Sequence, residues 1–158
     1  HCIRFVDEFD TSFSNMIFYG DPGLGKTFLC NCIAKDLLDR GKTVLYLTAF
    51  QLFKLFEKER FRKEESEDSK AYLDAIFTVD LLIIDDLGTE FNTALTGAEL
   101  FNCLNARLLD RKPTIISTNL SPNDWQKQYS ERIISRVFGN YKALKFIGTD
   151  IRILKKYN

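Results

Sequence analysis

The stretch Gly20-Asp21-Pro22-Gly23-Leu24-Gly25-Lys26-Thr27 decides how this chain is read. It fills every fixed position of the pattern G-x-x-x-x-G-K-[ST]. Ahead of it lies the apolar run Met16-Ile17-Phe18-Tyr19, and behind it Phe28 to Leu38 is apolar at helical spacing. Strand, glycine loop and helix in that order are the context in which the pattern holds phosphate. Gly20, Gly23 and Gly25 allow backbone angles closed to other residues, so that successive N–H groups turn inward. With the helix N-terminus these groups form an anion nest. Lys26 then brings a point charge to the β- and γ-phosphates, and Thr27 offers a hydroxyl to Mg²⁺. The expected nucleotide-binding residues are the loop Gly20 to Thr27 together with Phe28.

Composition bounds the rest. A chain of 158 residues, 45% hydrophobic and 28% charged, has the size and composition of one globular domain with a real core. The 22 basic and 22 acidic residues cancel, so net charge gives no case for nucleic acid. The carboxyl end is more basic: Lys127, Arg132, Arg136, Lys142, Lys145, Arg152, Lys155 and Lys156 face only Glu131 and Asp150. Such an end favours phosphates or an acidic partner, or is a solvated face. Cys2, Cys30, Cys32 and Cys103 show no disulfide framework, and with His1 the sole histidine there is no zinc pattern. Reduced thiols, no signal peptide and no apolar run near the ~18 residues of a membrane span give a cytoplasmic expectation. A chain opening on His1 rather than methionine is expected to be a piece of a longer one.

The flanks extend the pattern. His1 to Asn15 reads as a lead-in helix or loop near the nucleotide base. A strand at Asn15–Tyr19, a helix to Asp39 and the β-rich Thr43–Thr48 make a βαβ unit, whose crossover is right-handed. Ala49 to Arg62 reads as helix, Lys63 to Lys70 as a charged surface turn, and Ala71 to Phe77 as a short helix. Val79 to Asp86 is almost continuously apolar until its acids, the pattern of a central parallel strand buried on both faces. Leu87 to Thr96 reads as loop, Gly97 to Leu109 as helix, Thr114 to Thr118 as strand, Trp125 to Phe138 as one helix, and Ala143 to Ile147 as a fifth strand. Alternation of this kind gives a parallel α/β sandwich, with the ligand at the carboxyl ends of the strands.

Two further constellations belong at that rim. Asp85 and Asp86 end the apolar strand, where Asp85 is placed to hold Mg²⁺ or its waters and Asp86 to orient or deprotonate an attacking water. Asn119 ends the next strand, where a neutral amide touches γ-phosphate or water without adding charge. Arg132 and Arg136 share one helical face. Arg136 is the choice for an arginine finger acting on a neighbouring subunit's nucleotide.

GDPGLGKT, LLIIDDLGTE, ISTNLS and ERIISRVFG, in this order, resemble the AAA+ ATPases of bacterial helicase loaders of the DnaC/DnaI type, over about Phe5 to Arg152. The IstB helper ATPases of transposition are similar over the same motifs. The resemblance implies a three-layer P-loop NTPase of the AAA+ ASCE class with a central five-stranded parallel sheet and an absent or reduced lid. It implies Mg²⁺-dependent ATP hydrolysis, with ATP and Mg²⁺ as cofactors, and a replicative DNA helicase and single-stranded DNA as partners. Residue by residue, Lys26 and Thr27 match Walker A, Asp85 and Asp86 Walker B, Asn119 sensor 1, Arg136 the finger, and Arg152 more weakly a terminal sensor arginine. It also implies an N-terminal helicase-binding domain that lies outside this chain, which is then a single AAA+ domain over 1–158. The alternatives are a transposition helper, a small P-loop nucleotide kinase, and a nucleotide-gated module with negligible turnover. Single-strand contact is expected on the helices from Ala49 to Phe77, through Lys54, Lys58, Arg60, Arg62 and Lys63, with Phe53 or Phe61 stacking on bases, unless Glu57, Glu59, Glu64 and Glu65 make this an ordinary solvated face.

Overall fold

The computed structural model describes residues 1–61, 67–89 and 94–154. Five strands, β1 (Asn15–Tyr19), β2 (Val44–Thr48), β3 (Leu81–Leu87), β4 (Thr114–Thr118) and β5 (Tyr141–Lys145), form one sheet in the order β2-β3-β4-β1-β5. Every pairing is parallel. All carboxyl ends therefore lie on one rim, and β1, which feeds the glycine loop, is flanked by β4 and β5.

The side chains of β3 show why this sheet is buried on both faces. Leu81 and Ile83 join Met16, Phe18 and Ile115 against α2 (Lys26–Asp39), whose Cys30, Ile33, Ala34 and Leu37 fill that layer. Leu82 and Ile84 point the other way, with Ile17 and Ile116. There they meet α3 (Ala49–Phe61), α5 (Ala94–Leu109), α6 (Pro122–Gln128) and α7 (Glu131–Asn140) through Leu52, Leu104, Trp125, Ile133 and Val137. Alternating side chains of one apolar strand thus supply both cores.

One cation lies inside the second layer. The Arg107 guanidinium on α5 is 1% exposed. It donates to Thr114 Oγ1 (3.0 Å), Ile76 O (2.8 Å), Pro113 O (2.7 Å) and Val79 O (3.2 Å). It thereby joins the end of α4 (Glu67–Thr78) to the start of β4. Burial pulls its pKa down to about 10.

Several expectations from sequence are corrected. The span Trp125 to Phe138 is two helices, because Tyr129 and Ser130 are extended and Ser130 begins α7. Residues 67–70 belong to α4 rather than to a turn, α5 already begins at Ala94, and β5 begins at Tyr141 because Asn15 pairs with it in register. The lead-in helix α1 (Cys2–Asp7) packs at the end of α2 that lies away from the glycine loop. Arg40, past the far end of α2, donates to Val6 O and Asp7, and Lys42 pairs with Asp10.

Candidate nucleotide site

The carboxyl ends of β1, β3 and β4 border a cavity of about 330 Å³ lined by residues 22–28 of the loop and helix start, Asp86, Asn119, Ile151 and Arg152. Gly20, Gly23 and Gly25 have φ of 140°, 76° and 90°, the left-handed region that turns the loop's N–H groups inward. Lys26 is 5% exposed, and its ammonium donates to Gly20 O (2.7 Å) and Asp21 O (2.8 Å), so the loop curls around its own lysine. Desolvation lowers the Lys26 pKa, and the acidic Asp86, Asp21 and Asp85 oppose that. Phe28, on the first turn of α2, is 72% exposed and walls the cavity.

Asp85 reaches the same place from β3. Its parity puts it on the α2 face with Leu81 and Ile83, directly under the start of that helix, and it is 3% exposed. Its Oδ1 accepts from the Thr27 hydroxyl (3.3 Å) and the Asp86 N–H (3.1 Å), and its Oδ2 accepts from the Tyr46 hydroxyl (2.7 Å). Burial and this carboxylate push the Tyr46 pKa up. Asp86 then breaks the strand. It has φ 56°, and the register with β4 shifts between Ile84 and Leu87. The bulge turns Asp86 out of the sheet into the cavity. Desolvation, and then the Asp85 charge, raise the Asp86 pKa.

Asn119 follows β4, whose tip is laced to β3 where Thr118 Oγ1 donates to Leu87 O (2.6 Å) and accepts from Leu120 N (3.1 Å). Asn119 is exposed at the cavity wall. Arg136 is not in this cavity. It lies on α7, on the opposite face of the sheet from α2, and lines a separate groove of about 600 Å³ with Phe101, Glu131, Arg132, Ser135 and Asn140. Ile133 and Val137, one position along from each arginine, anchor the helix in the core.

Sequence reading missed the outer wall. After β5 the chain returns over the glycine loop: Phe146 N donates to Tyr19 O (2.7 Å) and Ile151 N to Gly23 O (3.0 Å). Asp150 caps α8 (Ile151–Leu154) by accepting from Arg152 N (2.8 Å), and it pairs with the Arg152 guanidinium (3.0 Å). A Cβ on Gly23 would lie 2.0 Å from the Asp150 carboxyl, so this strap touches the loop backbone itself. Arg152 does line the cavity, as the weaker part of the resemblance implied.

The donor set suits a magnesium nucleotide. Two oxygens at right angles on one Mg²⁺, each at 2.0–2.1 Å, lie about 2.9 Å apart. The 3.3 Å between Thr27 Oγ1 and Asp85 Oδ1 is close to that edge. Among the described residues no cluster of three His, Cys, Asp or Glu side chains is placed to hold a metal, so a magnesium ion here would take the rest of its shell from phosphate and water.

The family model described as IstB-like ATP binding protein matches residues 3–138. The chain belongs to that family. The replicative helicase loader DnaC of Escherichia coli (strain K12) is 31% identical over 134 residues, covering 85% of this chain and 54% of that protein. The chain thus spans about half the length of that curated relative. Among solved structures, a DnaC helicase loader matches with TM-score 0.80 at 23% identity, over 92% of this chain and 86% of the other. A replication initiator DnaA bound to AMPPCP and single-stranded DNA matches with TM-score 0.78 at 21% identity, over 99% and 50%. The fold is that of the AAA+ P-loop domains of these loaders and initiators, with the five-stranded parallel sheet expected from sequence. No helix among the described residues is long and apolar enough to cross a membrane.

Proposed function

We propose that this chain is the ATP-binding and hydrolysing domain of a helicase loader, which helps place a replicative DNA helicase on single-stranded DNA. The observation that carries the reading is the convergence of the glycine loop, Thr27, Asp85, Asp86 and Asn119 on one rim. The 31% identity to a replicative helicase loader supports the biological role.

The loop N–H groups and Lys26 bind the phosphates; to do so the ammonium exchanges its two loop carbonyls for phosphate oxygens. Thr27 and Asp85 would hold Mg²⁺, which when bound would neutralise charge developing on the transferred phosphoryl group. Asp86, turned into the cavity by its bulge, orients the attacking water and accepts its proton. Asn119 fixes that water from the end of the neighbouring strand β4. Phe28, Ile151 and Arg152 keep bulk water from one side. Arg136 lies on the other face of the sheet, so it serves a neighbouring copy's nucleotide, and turnover then depends on self-association.

Single-stranded DNA is assigned to α3 and α4, but not through Phe53, which is 5% exposed and buried in the core. The available rings are Phe50, 64% exposed under the Lys54 ammonium, and Tyr72, 54% exposed beside Lys54 and Lys58. Phe61, Arg60, Arg62, Lys63, Glu59, Glu64 and Glu65 lie outside the described side chains.

The test pairs Lys26→Ala with Arg136→Ala. The first abolishes ATP binding; the second leaves binding intact and removes hydrolysis. Equal loss of binding in both refutes the finger. A pull-down of the host's replicative helicase by the full-length protein, with and without ATP, tests the loader role. Capture of a transposase instead, or phosphoryl transfer to a nucleoside monophosphate, decides for the other readings.

A further inference from the structure

Asp85 makes its two oxygens unequal. Oδ1 faces the site, where the Thr27 hydroxyl (3.3 Å) and the Asp86 N–H (3.1 Å) meet it. Oδ2 faces the edge of the sheet and accepts one described bond, the 2.7 Å bond from Tyr46. The terminal torsion of an aspartate is broad, so the residue's own backbone does not fix the plane of the carboxylate. Two of the donors, Thr27 and Asp86, are themselves site residues whose surroundings change when a nucleotide enters. Tyr46 is not. It sits on β2, opposite Ile83 in register, with Asp85 two residues further along the same face. Its ring spans that diagonal, within reach of a long side chain. Tyr46 lines no part of the cavity and contributes to the apolar layer under α2.

We propose that Tyr46 is a positioning residue for the cation: by holding Asp85 Oδ2 at the sheet edge, its hydroxyl presents Oδ1 beside Thr27 as a metal ligand. This inference rests on the magnesium-nucleotide reading of the site. Tyr46 lies outside the cavity and acts only through Asp85. A carboxylate 3% exposed needs its acceptors filled. With the hydroxyl gone, Oδ2 loses the one donor described for it, and the carboxylate plane is no longer held. The carboxylate then turns away from the ligand position.

Tyr46→Phe removes the hydroxyl and keeps the ring in its apolar layer. Affinity for a non-hydrolysable ATP analogue is measured by calorimetry in EDTA and across a magnesium series, for the parent and the variant. Affinity in EDTA stays within about twofold, while the magnesium concentration giving half the metal-dependent gain rises about tenfold, the effect of one hydrogen bond to a charged group. In an Asp85→Asn background the same Tyr46→Phe change has no further effect on the magnesium response, the mark of two residues acting as one unit. Superimposable magnesium curves overturn the proposal. So does an equal loss in EDTA, which marks plain packing, or an additive effect in the Asp85→Asn background. A parent that binds the analogue with no magnesium dependence overturns the site reading as well, which separates the two failures.

Discussion

Arg107→Met sets two large effects against each other. The guanidinium is desolvated inside the second core layer, and its lowered pKa records that cost. Against this stand its bonds to Thr114 Oγ1 and to the carbonyls of Ile76, Val79 and Pro113. Replacing both halves of a buried polar pair with apolar groups is often neutral or stabilising. Here most of the other half cannot be replaced, because Ile76 O, Val79 O and Pro113 O are backbone and only Thr114 Oγ1 is a side chain. Pro113 O keeps a second donor, Leu82 N at 3.2 Å. Ile76 O and Val79 O lose the only donor described for them, at about 1–3 kcal/mol each. Relief of the buried charge offsets part of this, leaving a loss of about 2–4 kcal/mol. For a domain of this size that lowers the melting temperature by about 4–16 °C. Arg107→Lys should be no better, since an ammonium cannot reproduce the planar fork. Thermal and urea unfolding followed by circular dichroism measure both. A Met variant melting within about 2 °C of the parent refutes the reasoning, because the carbonyls would then have needed no donor.

Three other outcomes are expected. Gly23→Ala forces a left-handed alanine, costing about 1–2 kcal/mol, and drives its Cβ into Asp150, so the melting temperature falls by at least about 2–8 °C and ATP affinity drops; an unchanged melt counts against the strap. The pKa of Asp86 is raised, so ionised Asp86 is lost as pH falls through a value above the ordinary ~3.9. The acid limb of hydrolysis should therefore lie above the usual carboxylate range, and Asp86→Asn should remove hydrolysis at every pH. The same sign makes the ionised form a cost to the fold above that pKa, so Asp86→Asn should melt no lower than the parent at neutral pH. Lys54→Ala and Lys58→Ala should each flatten the salt dependence of single-strand binding by about 0.7 in log–log slope; parallel lines would move the contact elsewhere.

How much of this was legible depended on whether a residue's partner is local. The loop and β1 were read correctly because glycine spacing and flanking periodicity are themselves local signals. The continuous apolar run of β3 announced a strand buried on both faces, and Asp85 and Asp86 at its end announced the rim. The break at Tyr129 and Ser130 was passed over because apolar spacing continues through it. Ser130 followed by Glu131 in the first turn of α7 was the available sign. Phe53 was read as a ring for stacking on bases, yet helix phase turns it into the core and leaves Phe50 outside. Tyr46, Arg107 and Asp150 carried no sequence signal. Their partners Asp85, Ile76 and Gly23 lie far along the chain and meet them only through sheet register and chain return.

Because Asp150 and Ile151 rest on Gly23, the segment that runs into α8 is mechanically coupled to the glycine loop. A fluorophore placed next to Ile153 should change its signal when nucleotide arrives, without any label near the phosphates. Conversely, a bulky fusion joined just after α8 would tug on the loop and weaken ATP capture, so assays of this domain are better run with tags at the opposite end.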